Sequence, residues 1–382
     1  MRLRSKDILK RSAATQLVGK KPTRSKSAAK PAISKRRQQN RLIIAIAAVV
    51  VVAIAVFVII YSGIFIGAPR QISVTIAWNP GSTADDIVRT ISRATDTQVS
   101  LLNITGANGA SGANAVFNSV HDGTSVLSTN LSAFVTSEAM GFADSSPSDW
   151  AAWLCAFSPA VVVVANNSPY YTINDLIAAM RQKPGGLLCA NSGFGTVSYT
   201  AAELLSTRII LEFDHLSLSG SNQAVEALMN GSDIENEVDF AILLSIDIAE
   251  HLRTGQLRAI GVFSKEEYVL QNEDTVITVP SISGIGIDNR LDAVLPFGEY
   301  FGLFIPADTP QSKLRGLDTL IKKAVGSEIF DDFSKNAGLL TMTPDRAKSA
   351  TTIEKFSSII CWTLYDVRYL PTNPETLGIS RP

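Results

Sequence analysis

Two glycine-rich loops hold the residues of this chain that are best suited to binding a ligand. One is Asn191-Ser-Gly-Phe-Gly-Thr196, which follows an apolar run and precedes an Ala- and Leu-rich helical pattern. The other is Asn79-Pro-Gly-Ser82, which follows the apolar residues 74–78 and precedes a helical pattern that begins at Thr83. A loop that leads from a strand into a helix places free backbone N–H groups at the positive end of the helix dipole. Each loop therefore predicts an anion-binding site built from neutral donors.

Each loop also has a purely structural interpretation, because glycine-rich turns between strands and helices are common and most of them only turn the chain. Ser82 and Asp85 have the spacing of a capping box, which predicts a helix cap rather than a contact between Asp85 and a ligand. Gly81 can serve the turn alone. Trp78 and Phe194, one beside each loop, are candidates for the wall of a pocket.

The segment from Ile72 onward alternates short apolar strands with helical patterns, which is typical of α/β layers with mostly parallel sheets. The helical patterns are recognised by apolar residues that recur at the spacing of one helix face. The predicted strands are residues 73–78, 125–128, 160–165, 187–190, 238–244, 257–262 and 301–305, and the predicted helices are residues 83–95, 173–182, 199–209, 223–229 and 311–325.

Several short motifs follow one another along the chain after residue 70. They are Pro80-Gly-Ser-Thr-Ala-Asp85, Asn103-Ile-Thr-Gly-Ala-Asn-Gly-Ala-Ser-Gly-Ala-Asn114, His121-Asp-Gly-Thr-Ser-Val-Leu127, Lys183-Pro-Gly185, residues 191–196, Ala201-Ala-Glu-Leu204, Thr254-Gly-Gln-Leu-Arg-Ala259 and Tyr300-Phe-Gly-Leu-Phe-Ile-Pro-Ala307. In this order the motifs resemble the Bug-type substrate-binding receptors of tripartite tricarboxylate transporters. The resemblance covers most of the chain after residue 70.

The resemblance implies an α/β, two-lobed, type II periplasmic-binding-protein fold (Venus flytrap), in which the ligand lies between lobes that close by a hinge motion. Lobe 1 would consist of residues 70–168 and 297–382, and lobe 2 of residues 169–296. The chain would cross between the lobes near residues 167–169 and return near residues 295–297, where polar or Pro-containing breaks suit a hinge.

The resemblance also implies a set of ligand-binding residues, because both loops grip a carboxylate of the ligand in this family. In the second loop, Thr196 would donate to the carboxylate through its hydroxyl and its amide. No cofactor is implied. The residues carried over by motif position are Gly81, Ser82 and Thr83 in the first loop, Ser192, Gly193, Gly195 and Thr196 in the second loop, and Asn130 and Ser132 in the wall between them. Trp78 and Phe194 join this candidate set because they lie beside the loops, not because of the resemblance.

Three residues depart from the family pattern. Ser82 stands where a second Gly is usual, Tyr199 where a His is common, and Leu243 where a polar residue, often Asp, reaches the middle of the ligand. The loss of that polar group weakens the case for an amino-acid or hydroxy-acid ligand and favours a less polar ligand body.

The charge of the chain is distributed very unevenly. Residues 1–41 contain 14 Lys/Arg and one acid, whereas residues 71–382 contain 19 Lys/Arg and 34 Asp/Glu. Between them, residues 42–66 are 25 uncharged residues rich in Ile, Val and Ala, which as a helix would span roughly 37 Å. This length exceeds the hydrocarbon core of a bilayer and predicts a tilted transmembrane helix. The basic tail predicts a cytoplasmic N-terminus and an acidic domain outside the cell.

A cleavable signal peptide is the alternative for residues 42–66. Such peptides have a shorter apolar run and a small-x-small cleavage site, whereas Ile66 places a bulky residue at the critical position. We therefore predict an uncleaved, single-pass signal anchor in the cell membrane. The tail at residues 1–41 is predicted to be disordered and to attract anionic lipid rather than nucleic acid.

The sequence gives little support to an enzyme or a metal site. Its three histidines, His121, His215 and His251, lie in no nucleophile or metal motif, and no G-x-S-x-G elbow is present. The three cysteines match no metal spacing, and whether any two of them form a disulfide stays open.

Two function classes remain. The first is a membrane-anchored capture receptor that passes a small organic acid to the integral-membrane subunits of a tripartite tricarboxylate transporter. The second is a ligand-sensing extracytoplasmic partner of a signalling system. A long cytoplasmic domain would favour sensing, and the 41 residues before the anchor are too few, so capture is the preferred interpretation.

Overall fold

The computed structural model describes residues 39–40, 43–54, 71–230, 237–271, 275–286 and 288–382. Most of the predicted tail at residues 1–41 and the end of the predicted anchor lie outside these ranges. Residues 232–236, which form an insertion relative to the family pattern and have no predicted role, also lie outside them. Residues 43–54 are helical, and their large apolar side chains are exposed. Within the described ranges, no helix is long and apolar enough to cross a membrane.

All the elements below belong to one compact unit, Phe65–Pro382. The strands are β1 Gln71–Ile76, β2 Gln98–Asn103, β3 Ser125–Asn130, β4 Trp150–Ala165, β5 Leu188–Asn191, β6 Asp214–Ser217, β7 Phe240–Leu244, β8 Leu257–Val262, β9 Tyr268–Gln271, β10 Val276–Val279, β11 Gly298–Pro306 and β12 Leu340–Thr341. The helices are α1 Thr83–Arg93, α2 Ala110–Phe117, α3 Leu131–Ala139, α4 Ile173–Gln182, α5 Val197–Ile209, α6 Ser221–Asn230, α7 Ser245–Arg253, α8 Gln311–Val325, α9 Glu328–Ala337 and α10 Arg346–Asp366.

The long strand β4 belongs to two half-sheets. In the first half-sheet the strand order is β2-β1-β3-β11-β4, and β1, β2 and β3 are parallel. In the second half-sheet the order is β4-β7-β5-β6, with β8 also paired to β4. Residues 150–159 of β4 pair with β11, and residues 160–165 pair with β7 and β8. Pro159, which has no N–H to donate, lies where the partner changes.

Strand β4 is buried along most of its length, and its composition fits this position between two half-sheets. Nearly every residue of the strand is buried, and Val161 to Val164 are fully buried. A strand that is covered on both faces is apolar along its whole length rather than alternating. The helices supply that cover: Phe134 of α3, Leu205 of α5 and Ile360 of α10 share one core with Leu154 of β4.

The structure confirms most of the predicted elements and extends several of them. The predicted helices at residues 173–182 and 311–325 have the predicted bounds, and the helix predicted at 199–209 begins two residues earlier, at Val197. The strand predicted at residues 160–165 is only the end of β4, which begins at Trp150. The 21-residue helix α10 was not predicted.

Candidate functional site

The second loop connects β5 to α5, and its polar side chains mostly form hydrogen bonds within the loop and the first turn of α5. Thr196 is the N-cap of α5: its hydroxyl accepts from the amide of Tyr199 at 3.2 Å and donates to the carbonyl of Gly193 at 2.7 Å. The amide of Thr196 also donates to Gly193, and the hydroxyl of Ser192 donates to Thr196. A hydroxyl has a single proton to donate. The Thr196 hydroxyl therefore caps α5 and directs its proton to Gly193, and its donation to a ligand stays a prediction.

The backbone at the start of α5 keeps donors that the protein does not use. Val197 and Ser198 are the first two residues of the helix, where N–H groups have no intrahelical acceptor. In the described part of the chain, the amides of Gly195, Val197 and Ser198 have no hydrogen-bond acceptor. No acidic residue lies in the first turn of α5. The N-terminus of α5 thus offers several free donors and the positive end of a helix dipole.

The first loop has a different organisation, because the carboxylate of Asp85 occupies the start of α1. It accepts from the amide of Gly81 at 2.9 Å, from Arg89 at 2.7 and 3.1 Å, and from the side chain of Asn103 at 3.2 Å. The hydrogen bond with Arg89 lowers the pKa of Asp85 below its usual value, so this buried carboxylate is ionised. Ser82 caps the same helix. The carboxylate of Asp85 binds the amide of Gly81, whereas the amide of Ser82 donates to the carbonyl of Asn79. The predicted helix cap is therefore formed without the reciprocal hydrogen bond of a capping box.

The wall between the loops contains a buried acid that was not among the predicted residues. Glu299, on β11, is only 4% exposed. Its Oε1 accepts from the amide of Ser132 at 3.0 Å, and its Oε2 accepts from Asn130 Nδ2 at 2.9 Å and from the hydroxyl of Ser132. Burial raises the pKa of Glu299, and these hydrogen bonds oppose that effect. The predicted wall residues Asn130 and Ser132 thus hold Glu299 in place.

A cavity of about 270 Å³ lies where the end of β3, the second loop and Glu299 meet. Seven of the predicted residues line it, whereas Gly81, Ser82, Thr83 and Gly193 do not. The predicted residues in the lining are Trp78, Asn130, Ser132, Ser192, Phe194, Gly195 and Thr196, and the others are Asn108, Ala133, Thr136, Val197, Ser198, Leu244, Glu299 and Tyr369.

Aromatic side chains border this cavity. Phe194 is 48% exposed and makes edge contacts with Tyr199 and Tyr369, at ring-centroid distances of 4.9 and 5.1 Å. Tyr369, which follows α10, approaches the second loop so closely that a Cβ at Gly195 would lie 2.1 Å from its ring. Only a glycine at position 195, with φ of 86°, allows this approach. Trp78 donates from Nε1 to the hydroxyl of Thr129 at 3.1 Å.

Leu243 does not occupy the position that the family pattern suggests. It is fully buried in the core, where it pairs with Val161 of β4, and its neighbour Leu244 lines the cavity instead. The apolar character of Leu243 therefore says little about the ligand.

The described residues provide neither a metal centre nor a disulfide at this site. They contain no cluster of three or more His, Cys, Asp or Glu residues that could hold a metal ion. Cys155, Cys189 and Cys361 are free and buried, and burial raises the pKa of each thiol. Such cysteines act as small apolar side chains.

Comparison with known proteins gives one consistent result. The sequence matches the Tripartite tricarboxylate transporter family receptor over residues 82–358. It is 29% identical over 279 residues to a UPF0065 protein from the tcbD-tcbE intergenic region of Pseudomonas sp. strain P51, with 71% of this chain and 79% of that protein covered.

Two solved structures share the fold. A TctC solute binding protein from Polaromonas, without ligand, has a TM-score of 0.65 and 19% identity, with 78% of this chain and 98% of that chain covered. MatC from Rhodopseudomonas palustris, with bound malate, has a TM-score of 0.57 and 20% identity, with 78% and 99% covered. These likenesses confirm the predicted α/β periplasmic-binding-protein fold.

Proposed function

The chain belongs to the tripartite tricarboxylate transporter receptor family, and we propose that it captures a small organic carboxylate in the cavity for the integral-membrane subunits of such a transporter. Proteins of this family are solute-binding receptors that work outside the cytoplasm. The single observation that supports a carboxylate ligand is the set of free amides at the N-terminus of α5, which line the cavity.

The chemistry of these donors suits an anion. Backbone amides at a helix N-terminus carry partial positive charge, so they bind a carboxylate without the desolvation cost of a buried Lys or Arg. A hydrogen bond to a charged group contributes about 1.5–3 kcal/mol. The cavity, at about 270 Å³, is smaller than the usual range for drug-sized ligands and fits a small acid. MatC, which shares the fold, holds malate, a small carboxylate.

We further propose that the ligand lies between two lobes, residues 70–168 with 297–382 and residues 169–296. The cavity takes lining residues from both, for example Asn130 and Glu299 from the first and Thr196 from the second. A cleft with donors on both lobes closes around its ligand by hinge motion. In the sheet, β4 changes partner at Pro159, and its residues 160–165 pair with strands of the second lobe. We therefore place the hinge at Pro159 and move the boundary of the first lobe from residue 168 to this position.

Residues 42–66 are proposed as a membrane anchor, with residues 1–41 in the cytoplasm. This proposal rests on the uncharged sequence of 25 residues, on the basic residues before it, and on the exposed Ile and Val side chains of residues 43–54. Apolar side chains of a helix that are exposed in this way are suited to lipid. Protease added to intact cells should then remove the domain and spare the tail, whereas a soluble mature protein that begins near Gln71 would contradict the anchor.

The capture of a carboxylate is tested by the melting temperature of the full chain with a panel of mono-, di- and tricarboxylates. A ligand at 1,000 times its dissociation constant stabilises the folded state by about 4 kcal/mol, which is several degrees in melting temperature. We expect at least one carboxylate to produce this shift and the corresponding amides to produce none. A panel that leaves the melting curve unchanged would contradict the proposal.

A further inference from the structure

A joint of mostly buried polar groups connects the two proposed lobes. It consists of Ser158, Ser245, Arg253, Tyr268 and Gly338, none of which lines the cavity. At its centre is the backbone carbonyl of Gly338, which follows α9 in the first lobe. This oxygen accepts from the hydroxyl of Ser245 at 2.6 Å and from the hydroxyl of Tyr268 at 2.8 Å, and both donors belong to the second lobe. The lobes are thus joined through groups outside the candidate site.

The hydrogen bonds of the joint continue to the hinge. Ser158, directly before the hinge, accepts from the amide of Ile246 at 3.1 Å and lies 3.0 Å from the hydroxyl oxygen of Ser245. A carbonyl can only accept, so Ser245 gives its single proton to Gly338 and the hydroxyl of Ser158 donates to Ser245. Burial raises the pKa of Tyr268 to about 12, so its hydroxyl keeps the proton that it donates. Each hydroxyl of the joint therefore has a defined partner, as buried polar groups require.

Arg253 makes a second connection at the other end of α7. Its guanidinium donates from Nη1 to the carbonyl of Asn336 at 2.8 Å and from Nη2 to the carbonyl of Lys335 at 2.9 Å. Both carbonyls belong to the last turn of α9, where the negative end of the helix dipole favours a positive charge. A cation of the second lobe thus caps a helix of the first lobe.

Helix α7 and the end of α9 approach each other very closely. Gly338 has φ of 73°, and a Cβ at this position would lie 2.8 Å from the Cβ of Ala249 and 3.2 Å from the hydroxyl oxygen of Tyr268. Ile246 of α7 packs against the core of the first lobe, which contains Phe330 of α9. Close packing therefore accompanies the hydrogen bonds between the lobes.

The two ends of α7 lie at different distances from the hinge. Ser245 contacts the hinge through Ser158, whereas Arg253 lies about 12 Å further along the helix, at the rise of 1.5 Å per residue. A rotation of the lobes that moves Arg253 away from α9 breaks its hydrogen bonds, because such bonds keep a narrow range of distances. In the arrangement that these bonds fix, residues of both lobes border one cavity of about 270 Å³.

We propose that Arg253 and Tyr268 are positioning residues, which hold the lobes in the arrangement that forms the cavity before a ligand binds. The role given to these two residues rests on the proposed function and on the two proposed lobes. The apparent affinity of a receptor falls with the fraction of molecules in the binding-competent arrangement. Weakening the joint lowers this fraction, so it weakens binding although neither residue lines the cavity.

The arrangement of the lobes is measured first, in the full chain without ligand. Spin labels at Val120→Cys in the first lobe and Gln182→Cys in the second, both exposed positions, report the distance between the lobes. The native cysteines are buried, so the labels do not reach them. We expect one narrow distance distribution for the parent and a displaced or additional one when Tyr268→Phe and Arg253→Gln are combined. An unchanged distribution in this double variant would overturn the proposal.

Binding of malate, succinate and adipate is then measured by titration calorimetry, together with any other acid of the panel that raises the melting temperature. We expect Tyr268→Phe and Arg253→Gln each to weaken binding about three- to tenfold, and the double variant more than about tenfold. Arg346→Gln is the matched control, because Arg346 makes two hydrogen bonds with Asp318 inside the first lobe. It should lower the melting temperature and leave both the distance distribution and the affinities unchanged.

The outcomes distinguish the role of the joint from the proposed function. Variants of the joint that melt earlier but bind as tightly as the parent would show a purely structural role and overturn the proposal. If Arg253→Gln does not fold, Tyr268→Phe decides alone, since it removes a single hydroxyl. If no acid of the panel binds, the proposed function fails, whereas the distance distributions still support or overturn the role of the joint.

Discussion

The two glycine-rich loops are alike in sequence and differ in what occupies the helix that follows. At the third helical position α1 has Asp85, whose carboxylate binds the loop before it, and α5 has Tyr199, which cannot. The first helix thus carries its own anion, and the second leaves its N-terminus free and facing the cavity. The comparison teaches that an acid at the third helical position can occupy the start of a helix that would otherwise be free to bind an anion.

We expect the largest loss of stability from a substitution at Gly195. Its counterpart in the first loop, Gly81, has a similar backbone conformation but different surroundings. Both have positive φ, 86° and 81°. A Cβ at Gly195 would collide with the ring of Tyr369, whereas a Cβ at Gly81 would meet nothing within 4 Å. We expect Gly195→Ala to lower the free energy of unfolding by about 2–4 kcal/mol, from strain and overpacking together, and to weaken ligand binding more than tenfold.

Gly81→Ala is the matched control. It should lower the free energy of unfolding by about 1–2 kcal/mol, from backbone strain alone, and leave the affinity for the ligand unchanged. Adding Tyr369→Ala to Gly195→Ala should recover part of the lost stability, because it removes the collision. Denaturant unfolding of the four proteins measures these values. If Gly195→Ala and Gly81→Ala lowered the free energy of unfolding equally, Tyr369 would not pack against the second loop.

An intermediate effect is expected at Asp85, which belongs to the first loop only. Asp85→Asn removes the charge from the hydrogen bonds with Arg89 and Gly81, so the free energy of unfolding should fall by about 1.5–3 kcal/mol at neutral pH while affinity for the ligand stays unchanged. Because Arg89 lowers the pKa of Asp85 in the folded protein, this contribution is complete above the unfolded-state pKa and is lost as the pH falls through the folded-state pKa.

The stabilities of the parent and of Asp85→Asn should therefore converge in acid, which urea unfolding between pH 7 and pH 3 would show. A stability difference that is constant over this range would contradict an ionised Asp85 at the helix cap.

The smallest effect is expected at Thr196. Because its hydroxyl caps α5 and donates to Gly193, Thr196→Val should cost about 1 kcal/mol of stability and change affinity less than threefold. Ser82→Ala at the first helix should lose a similar amount. A Thr196→Val variant that keeps its stability but binds the ligand at least tenfold more weakly would show that the hydroxyl donates to the ligand instead.

The sequence predicted those parts of the fold whose pattern is local. Helices such as α4 and α8 have a clear apolar face and were placed correctly. The first ten residues of β4 were missed, because a strand buried on both faces lacks alternation and here contains Ala, Cys and Pro. Helix α10 was missed because it is rich in Ser, Thr and Ile and gains its stability from packing.

The site was predicted in part for the same reason. The second loop has a recognisable motif, and it lies at the cavity. Which of its donors remain free depends on contacts within the folded loop, such as the hydrogen bond from the Thr196 hydroxyl to Gly193, and the sequence does not show these contacts. Glu299 is brought to Asn130 and Ser132 by the pairing of β11 with β3, across 169 positions of sequence. Its only local signal was one acid at the start of an apolar strand.

The central claim, that the amides at the start of α5 hold a carboxylate, is tested most directly by Val197→Pro. Proline is well accepted at the first helical position, and Thr196 before it already has the extended backbone that a following proline requires. The substitution therefore removes one amide donor with little change to the helix, and Val197→Ala, which keeps the amide, is its control. We predict that affinity for the best carboxylate of the panel falls roughly 10- to 100-fold in Val197→Pro and less than threefold in Val197→Ala. Unchanged affinity in a folded Val197→Pro protein would contradict the account.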